Sequence, residues 1–89
     1  MSVLVNVGVS RLNGGRVRIC VARPQATPTL VQTYPSIEAA RGVLLDFGME
    51  EKEVDSTIEL LPEIGSEGVL RFPAMDVSQS LLEKHSFKL

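Results

Sequence analysis

The chain has one cysteine, one histidine and no tryptophan. A single thiol, Cys20, closes no internal disulfide and builds no thiolate metal cage. Aromatic residues amount to 4% of the chain, and none lies between residues 3 and 22. That stretch therefore lacks the stacking platform of sheet-type RNA binders. Uninterrupted apolar stretches such as Val43-Leu44-Leu45 are short, and nothing approaches the roughly 20 residues of a membrane span. Met1-Ser2-Val3-Leu4-Val5 carries neither the basic lead nor the small-residue cleavage site of a secretory signal. Together these absences lead us to expect a cytoplasmic protein that does not enter a membrane. Internal repeats and low-complexity tracts are also missing.

What is present suits one small core. Eighty-nine residues make a single domain, residues 1–89. A chain of this length hides roughly 60–65% of the surface its unfolded form exposes, which leaves a thin margin of stability. The apolar fraction of 44% excludes a disordered chain. Val, Leu and Ile carry most of it, which suits strands and short helices. The net charge of −2 hides a division. Residues 1–45 hold five arginines against Glu38 alone, a balance of +4, whereas residues 46–89 balance at −6. Such segregation marks an anion-facing surface, two faces that attract each other between chains, or two faces that are merely solvated.

Val3, Val5, Val7 and Val9 alternate with Leu4, Asn6, Gly8 and Ser10, the period of a strand buried on one face. Val17, Ile19 and Val21 repeat the pattern against Arg16, Arg18, Cys20 and Ala22. Asn13-Gly14-Gly15 between them signals a hairpin. A two-residue turn would set Val9 against Arg18 and split the valines between two faces. A three-residue connection pairs Val9 with Ile19 and keeps them together, so three residues are predicted. The same parity sends Asn6, Gly8, Ser10, Arg16 and Arg18 to the outer face. Because the glycine pair joins two strands, turn geometry accounts for it, and a phosphate-cradling loop is not indicated.

Pro24 and Pro28 bracket a loop, and Thr29 to Tyr34 reads as a third strand. Ser36 is placed to cap a first helix running to about Phe47, with Gly48 and Met49 fitting a Schellman ending. Glu50 opens a second helix, closed by Pro62, with Val54, Ile58 and Leu61 as its apolar stripe. Val69-Leu70-Arg71-Phe72 makes a short fourth strand, and Asp76 with Gln79 opens a third helix ending near His85. The order β-β-β-α-α-β-α predicts an α+β fold: a two-layer sandwich with an antiparallel sheet and helices on one face. Val7, Ile19, Leu44, Phe47 and Ile58 are the expected core.

On the first helix, Leu45 falls opposite the core stripe, beside Glu38 and Gly42. A mid-helix glycine costs roughly 1 kcal/mol against alanine, so Gly42 suggests close approach by another backbone. The second helix presents Glu50, Glu51, Glu53, Asp55, Glu59 and Glu63, which suits a solvated face or a basic partner. Their spacing resembles no calcium loop, and no metal site is expected. His85 sits centrally in the third helix's apolar stripe, where a ring packs and bonds one nitrogen. Cys20 and His85 lie on different elements and make a poor nucleophile pair.

An enzyme brings several polar groups into one pocket, and no such constellation is legible here. The expected function is a small non-catalytic protein-binding or accessory module that self-associates, using Gly42, Leu45 and Glu38. The alternative is nucleic-acid or polyanion binding through Arg11, Arg16, Arg18 and Arg23. Catalysis ranks third, and no cofactor is implied.

Overall fold

The computed structural model describes residues 1–24, 29–60 and 68–88. Strand β1 (Ser2–Arg11) is the centre of its sheet, and its alternating valines set the register. Val5, Val7 and Val9 are at most 1% exposed, and so are Val17, Ile19 and Val21 of β2 (Val17–Ala22). The connection between them is one 3-10 turn, Asn13–Gly15, in which Gly14 and Gly15 take φ of +77° and +78°. Only glycine adopts two such left-handed conformations without strain. The Leu12 N–H donates to the Arg16 carbonyl at 2.8 Å, and Val9 lies opposite Ile19. The three-residue hairpin is the one the valines require.

Strand β3 (Leu30–Tyr34) pairs with β2, giving the antiparallel order β3-β2-β1-β4, with β4 at Leu70–Arg71. A further strand, β5 (Met75–Ser78), also pairs with β1. The Val7 carbonyl accepts from the Phe72 N–H at 2.9 Å, and the Met1 carbonyl accepts from the Gln79 N–H at the same distance. Odd-numbered residues of β1 thus turn their backbone groups to β4 and β5, and even-numbered ones to β2. It follows that β4 and β5 succeed each other along one edge. Between them the register slips by one residue, since Gly8 meets Arg71 whereas Val5 meets Met75. Pro73-Ala74 accommodates that extra residue as a bulge, and Pro73 has no N–H to give a ladder. The slip lets Leu70 and Phe72 before it, and Met75 and Val77 after it, all join the core.

The chain therefore has one strand more than expected. Asp76, read from the sequence as a helix opening, lies in β5, and the third helix α3 is only Gln79–Lys84. Pairing of Val77 with Val3 buries Val77, and this long-range gain outweighs a local capping pattern. Helix α1 (Ile37–Asp46) begins as predicted, with the Ser36 Oγ accepting from the Ala39 N–H at 3.2 Å. It ends with the Gly48 N–H on the Leu45 carbonyl and the Met49 N–H on the Leu44 carbonyl, the two bonds of a Schellman cap. Helix α2 (Glu51–Leu60) packs chiefly on α1, so Val54 reaches the core while Ile58 stays half-buried at its margin. That corrects the expectation for Ile58. The loop at Pro28, the helix end at Pro62 and Glu63 lie outside the described residues.

Leu44, Phe47, Leu82 and Phe87 seal one face of the sheet. Phe47 meets His85 and Phe87 edge-on, each with ring centroids 5.9 Å away. The architecture is α+β, an antiparallel sheet with its helices on one side. No helix of the described residues is long and apolar enough to cross a membrane.

Candidate functional site

The opposite face of the sheet is open at Arg18, Val31, Thr33 and Arg71, whereas Gly8 and Ser10 at its middle are buried, and strand register decides what it displays. Arg71, Gly8, Cys20 and Val31 form one line across four strands, with Ser10, Arg18 and Thr33 in the next. Small residues make the floor: Gly8, Cys20 and Ala22 border a shallow cleft of about 510 Å³. Arg23, Arg71, Thr29 and Val69 stand around it. Val69 leans over Gly8, where an added Cβ would lie 3.0 Å from the valine Cγ1. Glycine at position 8 therefore leaves room for Val69, the residue before β4, on this face. Leu4 and Val31 are each 47% exposed and Val69 is 42% exposed, so aliphatic surface is interleaved with charge.

Arg18, Arg23 and Arg71 form no ion pair with any carboxylate of the described residues. Arg41, on the helical side, is fully engaged. Its Nε lies 2.7 Å from Asp55 Oδ1 and its Nη2 lies 2.9 Å from Glu51 Oε1, which joins α1 to α2. Two members of the acidic array are thus spent within the fold. On the open face, burial pushes the Cys20 thiol up, and the pull of Arg18 and Arg71 offsets that only in part. The thiol stays protonated at neutral pH and is not an activated nucleophile. His85 lies across the sheet among the helices, with Nε2 3.0 Å from Asp46 Oδ2, so it forms no pair with Cys20.

The arginines read from the sequence are not one cluster. Arg18 and Arg23 reach the open face. Arg16 stands at the hairpin tip with its Nε donating to the Asn13 carbonyl at 3.2 Å. Arg11 lies opposite Val17, on the helical side by parity, and has an interaction of its own. Arg71 was missed. Alternation in Leu70-Arg71-Phe72 turns it outward, but its place beside Gly8 follows only from strand order.

The other candidate patch fares differently. Gly42 is exposed with nothing within 4 Å of an added Cβ, and Glu38 is also exposed. Leu45 is half-buried and packs against the core, because α2 as well as the sheet flanks α1. The leucine that was to anchor a partner is already occupied. Among the described residues no three His, Cys, Asp or Glu side chains gather closely enough to hold a metal ion. No protein-family model, no curated protein and no solved structure matches the chain.

Proposed function

We propose that this chain is a non-catalytic binding module and that the open face of its sheet engages an acidic surface on a protein partner. The observation that carries this is the set of three guanidiniums, Arg18, Arg23 and Arg71, without carboxylate partners among the described residues: Arg23 and Arg71 border the cleft floored by small residues, and Arg18 stands in the next row across the sheet. Exposed Leu4, Val31 and Val69 among them give the mixture of arginine and aliphatic surface that protein interfaces favour. A lone free thiol fits a reducing compartment, and cytoplasmic residence is part of the proposal.

A nucleic-acid strand is the second reading, favoured by the same guanidiniums. It is weakened by the lack of any aromatic side chain on this face. Tyr34 sits with Val17 on the helical side, and Phe72 is buried. Fluorescence anisotropy with a labelled Glu/Asp-rich peptide and a labelled oligothymidylate separates the two. Tighter binding of the peptide, lost in the Arg18→Glu/Arg71→Glu double variant, is the expected result. Preference for the oligonucleotide, with affinity falling steeply as salt rises, selects the second reading. Binding of neither probe would leave the open face without a role.

A further inference from the structure

We infer that β3 is a dimerisation edge: two copies of this chain join their sheets by antiparallel pairing of β3 with β3, about a two-fold axis at Val31. In the order β3-β2-β1-β4, β3 is terminal. No backbone hydrogen bond among the described residues reaches its outer side.

The groups left free follow from the hairpin. The bond from the Leu12 N–H to the Arg16 carbonyl makes Leu12 and Arg16 a hydrogen-bonded pair. Alternation then turns Arg18 and Cys20 toward β1, and turns Val17, Ile19 and Val21 toward β3. Their partners Tyr34, Gln32 and Leu30 accordingly bond inward. Val31 and Thr33 present both N–H and carbonyl outward, with Thr29 next in line.

Three features select a second copy as the occupant. First, Leu30-Val31-Gln32-Thr33-Tyr34 carries no charge, whereas solitary edges are commonly blunted by lysine or inward-pointing charge. Identical strands therefore meet without like charges opposed. Second, an axis at Val31 sets valine on valine, and sets Thr33 on Thr29 of the second copy, a self-complementary series. Val31, 47% exposed in one chain, is covered by its own counterpart. Third, Pro35 occupies the next outward position. An axis at Gln32 would place it opposite Thr29 with no N–H to offer, whereas an axis at Val31 leaves it outside the pairing. The two open faces become one surface bearing two sets of Arg18, Arg23 and Arg71. The proposal stands independently of what that surface binds.

Pairing of so short a strand buries less than the roughly 1,200–2,000 Å² of a stable interface, so the dimer is weak and forms as concentration rises. Sedimentation velocity up to about 1 mM should show the 9.7 kDa chain doubling in mass. Amide exchange over the same range should show Val31 and Thr33 becoming protected, with Leu30, Gln32 and Tyr34 protected throughout. Val31→Lys should weaken association roughly tenfold or more, since like charges directly opposite resist pairing. Thr33→Pro removes an N–H that only the dimer uses and should act alike; circular dichroism checks that each variant folds. If a variant unfolds, exchange at Val31 and Thr33 in the unaltered chain decides. A monomer at every concentration, a dimer in which those two amides are no slower to exchange, or a dimer indifferent to a folded Val31→Lys overturns the proposal.

Discussion

Asp46 and Arg41 tie the helical layer together, Asp46 from the C-terminal end of α1 and Arg41 from its middle. Asp46 collects His85 at 3.0 Å and Lys84 at 3.4 Å, while Arg41 holds Asp55 and Glu51. Hydrogen bonds from His85, then Lys84, hold the Asp46 carboxyl below its ordinary value of 3.8, and the bond from Arg41 does the same for Asp55. A carboxyl depressed by folding contributes fully above its unfolded pKa, and the contribution is lost as pH falls through the folded one. The thermal midpoint should therefore drop on acidification below 3.8, and Asp46→Asn or Asp55→Asn should flatten that fall. An acid limb unchanged in both variants would show that these carboxylates are not held. Phe47, the residue that follows α1, is buried and meets both His85 and Phe87 edge-on. Truncation of Leu44 or Phe47 to alanine should cost roughly 2–5 kcal/mol. In a domain of about 5–8 kcal/mol in total, urea titration should find either variant close to unfolded.

The bulge at Pro73-Ala74 is the element-scale feature with the sharpest consequence. Deleting Ala74 would remove the slip and leave one continuous ladder, in which Phe72, Pro73, Met75 and Val77 meet Val7, Asn6, Val5 and Val3 with the same faces buried. Pro73 would stand opposite Asn6, whose backbone groups face β2, so its missing N–H costs no ladder bond. A cooperative thermal transition is the expected result; its loss would mean that the bend of the bulge, and not register alone, seats β4 and β5 on β1. None of this was legible beforehand. The hairpin was, because four valines in period two leave only one parity that buries them all. Helix α1 was also legible, since Ser36 and Gly48 act on neighbours within a few residues. Strand β5 was hidden because its warrant is Val3, more than seventy residues away. Arg71 and the occupied Leu45 were hidden for the same reason. Each takes its meaning from an element that the local pattern does not contain.

At the scale of the whole molecule, the charge division in the sequence maps only partly onto the layers. Arg18 and Arg23 come from the basic half, yet Arg71 joins them from the acidic half, and Arg41 crosses to the helices to satisfy α2. The fold draws basic side chains from both halves onto one face and leaves Glu50, Glu53 and Glu59 exposed in the helical layer. Strand β1 imposes a further condition, one of timing. Residues 6–11 gain β2 as soon as the hairpin closes, but the other edge of β1 waits for residues 70–78. Such distant pairings close slowly, because the intervening chain must first surrender its freedom. During synthesis the hairpin therefore emerges from the ribosome as an unfinished sheet with one edge unclaimed. Until residue 78 is clear of the exit tunnel, that edge is the nascent chain's point of greatest exposure to misassembly and to chaperones.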